Sequence, residues 1–208
     1  ANAVSHAGAT PHFIDSELTT MGMCPDALRE RLSRMRREPD GTLVNPLTGR
    51  RIAAIGDVDE LNSLMGVAAQ HAVGTDLDRL RMIQNDLFDL GADLATPGED
   101  FTPSEMVLRI VASQTARLEH EIDAMNEAMA PLSSFILPGG SPLACALHVA
   151  RSVARRAERA MVHANRAAPL NPEAQRYINR LSDWLFVAAR HANDQGATDI
   201  LWKPGASR

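Results

Sequence analysis

The chain has 208 residues, a formal net charge of −5 and an aromatic content of 4%. This length suits one domain with a single large core, and the acidic balance argues against nucleic acid or an anionic membrane surface as the main partner. There is no apolar run of membrane-spanning length, no signal-peptide pattern and only two distant cysteines. We therefore expect a cytoplasmic protein without a disulfide framework.

The first 24 residues show no hydrophobic period and predict an irregular head. Four of their side chains are of metal-ligand type, namely His6, His12, Asp15 and Glu17. Their spacing matches no zinc signature, so we predict a polar segment and no metal site.

A short arginine-rich helix is predicted from Pro25 to Pro39, because proline is favoured at the first helical position and cannot continue a helix. Its five arginines between Arg29 and Arg37 form either a solvated basic face or an anion-binding patch. Turn-forming residues then predict a loop or small hairpin up to Arg51. We divide the chain into an N-terminal head, residues 1–50, and a helical bundle, residues 51–208.

The first helix of the predicted bundle begins at Asp57, a candidate N-cap with Glu60 in capping-box spacing. Asp59 and Asn62 lie just off its apolar side. That side is formed by Leu61, Leu64, Met65 and Ala68.

Two further amphipathic helices are predicted, one from Asp76 to Ala95 and a long one starting at Thr102-Pro103. On the first of these, Gln84 and Phe88 are most simply packing residues. The second carries core positions as far as Met129.

The next helical pattern runs from Leu143 to Ala164 and places its apolar residues on one broad face. Arg151, Arg155 and Glu158 form a narrow stripe at the margin of that face. Two neighbours point towards solvent, namely Arg156 and His163. The stripe is either a set of surface ion pairs or one wall of a half-buried site.

The last predicted helix carries residues on two opposite faces. The apolar face holds Tyr177, Ile178, Leu181, Leu185 and Ala188, and the other holds Asn179, Asp183, Phe186 and Arg190. A helix with both faces occupied is better placed to line a polar cavity than to lie in water. After this helix, Leu201 and Trp202 are expected to pack onto the bundle.

Five helical patterns joined by short breaks predict an all-α fold, an antiparallel up-and-down five-helix bundle. Five sequence blocks, AAIGDVDELNSLMG, IQNDLFDLGADLA, FILPGG, HVARSVARRAER and YINRLSDWLFVAAR, resemble in matching order the PduO-type ATP:cob(I)alamin adenosyltransferases. The resemblance covers Ile52 to Trp202. It implies a cobalamin adenosyltransferase-like bundle, ATP and cobalamin as substrates, Mg²⁺ beside the triphosphate, a homotrimer with sites between subunits, and an adenosylcobalamin-dependent acceptor enzyme as a further partner.

In the family's reaction a Co(I) corrinoid attacks the ribose C5′ of ATP and expels triphosphate, so no protein nucleophile is needed. The resemblance implies that Arg151 and Arg155 stabilise the triphosphate, and their planar donor forks suit that role. It also implies that Glu158 and Asn179 position the nucleotide. The corrinoid side would comprise Phe135 as a lid, Phe186 as a second wall, and Asp59 and Asn62, which line the site or pair with an arginine of a neighbouring subunit.

The family's Thr-Gly-Asp loop and nearby lysine are not evident here. Asp40-Gly41-Thr42 is at most a remnant, and Lys203 is the single lysine. Three interpretations stay open: an adenosyltransferase whose triphosphate contacts come from Arg29 to Arg37 or from turn amides, a non-catalytic corrinoid carrier, and a divergent enzyme of the same fold.

Overall fold

The computed structural model describes residues 36–37, 43–44, 46–96, 98–104 and 107–206, with side chains from residue 51 onward. The predicted irregular head, its four metal-ligand-type residues, Asp40-Gly41-Thr42 and the arginines from Arg29 to Arg34 lie outside the described residues. Contacts within the chain divide it into two units, Ala1–Gly49 and Arg50–Arg208.

In the first unit, β1 (Arg36–Arg37) and β2 (Leu43–Val44) pair antiparallel, with Arg36 opposite Val44 and Arg37 opposite Leu43. This confirms the small hairpin. The prediction that the arginine-rich helix extends to Arg37 was wrong, because these two residues are in a strand. Pro39 disfavours the α conformation just before it, and the turn-forming residues that follow it favour a chain reversal.

The second unit contains the helical bundle. In the part of the chain that the structure describes there are five helices: α1 (Pro46–Ala69), α2 (Gly74–Ala95), α3 (Ala112–Glu127), α4 (Pro142–Asn165) and α5 (Pro172–His191). The all-α five-helix prediction is confirmed. None of these helices is long and apolar enough to cross a membrane.

The helices alternate in direction along the chain. Arg51, near the start of α1, donates to the carbonyl of Leu94 at the end of α2 (3.3 Å), and the Asn62 amide reaches the Gln84 carbonyl midway (3.2 Å). α1 and α2 are therefore antiparallel.

The last helix, α5, packs against α3 and α4. The guanidinium of Arg180 donates to Glu119 (3.1 Å), and the Trp184 indole donates to Glu121 (2.7 Å), so α3 and α5 run in the same direction. This is the relation that an up-and-down bundle requires for its third and fifth helices. Eleven of the twenty residues of α5 are buried, which places it at the centre of the bundle.

Helix α1 begins at Pro46, well before the predicted start at Asp57. Ala54, Val58 and Leu61 are buried at helical spacing, so the apolar stripe already exists upstream of the predicted cap. Asp57 is thus inside the helix, and its assignment as N-cap was wrong.

Helix α3 begins at Ala112, later than the predicted start at Thr102. The backbone N–H of Ile110 donates to Asp93 Oδ2 (2.9 Å), and its carbonyl accepts from Asn171 Nδ2 (2.9 Å). Side chains from α2 and from the start of α5 thus bond both backbone groups of Ile110, and these tertiary contacts hold it outside the helix.

The same carboxylate forms a buried ion pair. Asp93 Oδ1 accepts from Arg109 Nη1 (2.8 Å), and Asp93 Oδ2 also accepts from Asn171 Nδ2 (2.7 Å). Asn171 caps α5 by accepting from the backbone of Glu173 (3.0 Å). One buried carboxylate therefore connects α2, the segment before α3, and the start of α5.

We predict that Asp93→Ala destabilises the bundle by about 3–5 kcal/mol, because it leaves the buried Arg109 guanidinium without its counter-charge. Thermal or urea unfolding measures the loss. Asp78→Ala, an exposed carboxylate on the same helix, is the control and should change stability by less than about 0.5 kcal/mol. Equal, small effects of both substitutions would contradict the assigned role of Asp93.

Candidate functional site

Helix α4 carries the predicted charged stripe, and its start is anchored to the end of α5. The Ser141 side chain accepts from the backbone of Ala144 (3.1 Å) as N-cap, and Pro142 occupies the first helical position. The Ser141 hydroxyl also donates to the carbonyl of Ala192 (2.9 Å). α4 and α5 are therefore antiparallel neighbours, and their side chains meet at fixed heights.

At one height, Phe186 of α5 lies between two residues of α4. The guanidinium carbon of the half-buried Arg151 is 5.3 Å from the centre of the Phe186 ring, a cation–π distance. The His148 ring centre is 6.5 Å from the same ring centre, with the two planes 67° apart. We call these three residues the His148–Phe186–Arg151 cluster.

His148 is the most buried member of this cluster, with 6% of its surface exposed. Burial, followed by the positive charge of Arg151, lowers the pKa of His148, whereas the more distant Asp199 raises it. Its Nε2 is buried and has no hydrogen-bond partner among the described residues. His148 therefore favours the neutral form.

At a second height, Glu158 accepts a hydrogen bond from the side-chain amide of Asn179 (2.7 Å). This pair brings together two of the predicted nucleotide-binding residues, one from α4 and one from α5. Arg155 is exposed, and no acceptor for its guanidinium is found in the described part of the chain. Glu158, the carboxylate of the stripe, therefore bonds to α5 and forms no ion pair with Arg151 or Arg155 among the described contacts.

Arg156 lies on the exposed side of α4, as predicted, and it also pairs with carboxylates of α1. Its Nε donates to Asp57 Oδ1 of α1 (3.0 Å), and its Nη2 pairs with Glu60. The hydrogen bond that Arg156 donates to Asp57, partly offset by desolvation, raises the pKa of Arg156. The two α1 carboxylates therefore attach α1 to α4. His163 is exposed, as predicted.

The two predicted site residues on α1 differ in environment. Asn62 is buried, and its side-chain amide donates to the Gln84 carbonyl on α2 (3.2 Å). The Gln84 side-chain amide donates to the Asn62 carbonyl in return (3.2 Å), while Asn62 Oδ1 has no partner in the described chain. Asp59 is exposed. Phe88, expected to pack in the core, is 71% exposed, so that prediction was wrong.

The predicted lid, Phe135, stands on the loop before α4 and is 77% exposed. Its carbonyl accepts from the backbone of Trp202 (2.8 Å), the next pairing joins Leu137 N–H to the Ile200 carbonyl (2.7 Å), and the Phe135 and Trp202 rings meet edge to face at 5.9 Å. The C-terminal segment therefore pairs with this loop through its backbone. The expectation that Leu201 and Trp202 pack onto the bundle was wrong, since both are exposed.

Gly140, in the loop that carries Phe135, is required by a close contact. Gly140 has φ +107°, and a Cβ at this position would lie 2.1 Å from Asn193 Oδ1. The same oxygen accepts from the Ser141 backbone (2.9 Å), and the Asn193 amide donates to the Gly139 carbonyl (3.1 Å). Glycine lets the loop approach the end of α5 closely enough to be held there.

Arg190 does not line the site as its sequence position indicated. It is buried, its Nε donates to Asp199 Oδ2 (2.9 Å), and its Nη2 donates to the carbonyl of Ala130 (3.1 Å). It holds the residues after α5 against the loop before α4. Asp183 stays exposed and bonds to Arg180 (3.0 Å).

Two open cavities lie on a different part of the bundle. One, of about 440 Å³, is lined by residues of α2 and α3 such as Arg79, Arg117 and His120. The other, of about 330 Å³, also includes Arg79, together with Asp76 and His191. Neither contains a residue predicted to bind nucleotide or corrinoid.

Two residues that touch the predicted site, His148 and Trp202, were not predicted from the sequence. His148 was part of a recognised block, and its position three residues before Arg151 on the same helix was a signal for contact with a shared partner. Trp202 gave no comparable signal, because its pairing with Phe135 joins segments far apart in the sequence.

Comparisons with known proteins show which family the chain belongs to. Residues 44–192 match the family model described as cobalamin adenosyltransferase. A corrinoid adenosyltransferase of Mycobacterium bovis is 48% identical over 165 residues, covering 77% of this chain and 84% of the relative, and one of Bacillus subtilis is 38% identical over 164 residues, covering 75% and 81%.

A solved structure also aligns with most of the chain. It is a variant PduO-type ATP:corrinoid adenosyltransferase from Lactobacillus reuteri complexed with cobalamin and ATP, with a TM-score of 0.68 and 37% identity, covering 83% of this chain and 93% of that one. A second variant of that enzyme, complexed with ATP, aligns with a TM-score of 0.67 and 38% identity over 82% and 96% of the two chains.

We predict that His148 makes the fold less stable as pH falls. Its folded pKa lies below the ordinary 6.5, so the unfolded chain binds more protons, and stability present above about pH 6.5 is lost as pH falls through that value towards the folded pKa. Melting temperatures between pH 8 and 5.5 should fall less steeply in His148→Gln. The exposed His163→Gln is the control, and its profile should match the parent; identical profiles for all three proteins would contradict the prediction.

Proposed function

Because the chain belongs to the cobalamin adenosyltransferase family, we propose that it is an ATP:corrinoid adenosyltransferase. The reduced Co(I) of a corrinoid donates its electron pair to the ribose C5′ of ATP, a cobalt–carbon bond forms, and the C5′–oxygen bond breaks. The bonding electrons leave with triphosphate, and adenosylcobalamin is the product.

The observation that carries this proposal is the arrangement of the stripe against α5. Arg155 is an exposed cation, Arg151 is a half-buried one held over Phe186, and both stand on one side of α4. Two guanidinium groups there suit the negative charge of a triphosphate leaving group. We assign to the Glu158–Asn179 pair the positioning of the nucleotide, since it offers both acceptor and donor groups beside those cations.

For the corrinoid, we propose Phe135 as the lid and Phe186 as a second wall. Phe135 is exposed on a loop whose backbone is hydrogen-bonded to residues 200–202, so its ring is available to contact a ligand. Asp59 and Asn62 complete the corrinoid side in this proposal. The exposed Asp59 is available to a neighbouring subunit, whereas the buried Asn62 would act by holding α1 against α2.

We further propose a homotrimer with sites shared between subunits, which sedimentation at micromolar concentration would test. A monomer would remove the role given to Asp59. Mg²⁺ would accompany the triphosphate. Among the described residues no group of three His, Cys, Asp or Glu side chains is placed to hold a metal ion.

The proposed cellular setting is the cytoplasm, with an adenosylcobalamin-dependent enzyme receiving the product. Cys145 is free and exposed, which suits a reducing compartment. We propose that the head, residues 1–50, is a separate domain. In this proposal it supplies the triphosphate contacts that the family's Thr-Gly-Asp loop and lysine would otherwise provide.

The test is the release of triphosphate from ATP when chemically reduced cobalamin is added, followed together with the cobalt–carbon absorbance of the product. Stoichiometric release supports the transferase. Corrinoid binding without release would favour the non-catalytic carrier. Neither binding nor release would favour a divergent enzyme of the same fold.

We predict that Arg155→Ala lowers kcat by about 10²–10³-fold, because a cation aimed at developing charge typically contributes about 3–4 kcal/mol to transition-state stabilisation. Melting temperature should stay near that of the parent, since Arg155 is exposed. Arg159→Ala, also exposed and one turn further along α4, is the matched control and should keep most of the activity. If Arg155→Ala had a normal kcat but a clearly lower melting temperature than the parent, the role of the stripe would be structural.

We predict that Phe135→Ala slows the reaction with cobalamin at least about tenfold, because displacing the lower ligand of cobalt requires an apolar group on that face. The loss should be smaller with a corrinoid that lacks this ligand. Leu137→Ala, on the same loop, serves as the control. Equal losses with both substrates would mean that Phe135 only packs the loop against Trp202.

A further inference from the structure

His148 has a position that the proposed chemistry does not yet explain. It is almost fully buried, three residues before Arg151 on α4, and its ring meets Phe186 nearly at right angles. Phe186 in turn carries the Arg151 guanidinium over its ring. The imidazole and the guanidinium therefore contact the same aromatic side chain from the same helix.

The imidazole of His148 lowers the stability of the fold at this position. Its Nε2 is buried without a hydrogen-bond partner in the described residues, and an unsatisfied buried polar atom destabilises the folded state. An apolar side chain of similar size would avoid that cost. The buried nitrogen therefore adds nothing to stability, and the side-chain contact that His148 makes is that of its ring with Phe186.

The charge of the imidazole also matters to its neighbours. Two charged groups face it, Arg151 from its own helix and Asp199 from the segment after α5. A protonated His148 would repel Arg151, while a neutral ring leaves the guanidinium in its place over Phe186. Burial, the largest influence, lowers the pKa of His148 and favours that neutral ring.

We infer that His148 is a positioning residue for adenosyl transfer: its neutral ring fixes the orientation of Phe186, and the Phe186 ring fixes the guanidinium of Arg151 beside the leaving triphosphate. The inference rests on the proposed function and adds to it a residue that touches neither substrate. It requires the aromatic ring of His148 and does not require its nitrogen atoms.

Three substitutions separate the ring from the nitrogens. His148→Phe keeps a ring and removes the unpartnered nitrogen, His148→Leu removes both, and His148→Gln removes the ring but keeps a polar group. Each is measured for triphosphate release with cobalamin, for KM of ATP and for melting temperature. The exposed His163→Leu on the same helix is the matched control.

We expect His148→Leu and His148→Gln to lose about three- to tenfold in kcat, the size of one edge-to-face aromatic contact, with little change in KM. His148→Phe should stay within about twofold of the parent. The Leu variant should melt at or above the parent temperature, because it removes the unpartnered nitrogen. The control should match the parent in every readout.

A double substitution tests the proposed chain of contacts. In a Phe186→Leu background, His148→Leu should cause almost no further loss of kcat, since the ring it orients is already absent. Independent, multiplicative losses would overturn the inference. It would also be overturned if His148→Phe lost as much activity as His148→Leu, because the nitrogens would then be the important atoms.

Other outcomes also decide the question. If activity and melting temperature fell together in His148→Leu and His148→Gln, the residue would be structural and the inference wrong. If the parent chain produced no adenosylcobalamin, the proposed function would fail, and this role with it. An active parent with unaffected His148 variants would overturn the inference alone.

Discussion

The position of α5 depends on buried carboxylates of α2. Asp93 neutralises Arg109 and accepts from Asn171, the residue that caps α5. Two turns earlier, Asp86 accepts from the hydroxyl of the fully buried Tyr177 (2.9 Å), and burial together with this carboxylate raises the pKa of Tyr177. A buried carboxylate without a partner destabilises the fold, so α5 has one favourable axial position relative to α2. Apolar packing alone is less selective, because many of the facing side chains are of similar size.

The candidate site follows from that constraint. Once α5 is fixed, the bond from Ser141 to the end of α5 sets the height of α4, and Phe186 then comes between His148 and Arg151. The Glu158–Asn179 bond falls further along the same pair of helices. No flexible loop intervenes between the buried network and these side chains. A site built on two packed helices in this way is held more accurately than one built on loops.

The proposed lid, Phe135, lies on an irregular loop and not on a packed helix. Phe135 stands on an irregular segment whose neighbours are held by the Asn193 side chain and by backbone pairing with residues 200–202. Few buried apolar contacts support this segment, and many of its large side chains are exposed. Regions of this type open at lower free energy than a helical core. The two packed helices thus carry the arginines of the stripe, and a more loosely held segment carries the proposed aromatic lid.

The sequence by itself determined the features that depend on the regular spacing of residues within one helix. The five helices, their apolar faces and the grouping of Arg151, Arg155 and Glu158 all follow from a local 3.6-residue period, and the ordered blocks identified the family. Tertiary structure decided which partner each polar group takes. Arg156 donates to Asp57, 99 residues away. The backbone of Ile110, predicted to be helical, instead bonds to the side chains of Asp93 and Asn171. The pairing of Phe135 with Trp202 likewise joins distant segments. Such choices depend on which chain segments become neighbours after folding, and a local pattern contains no information about them.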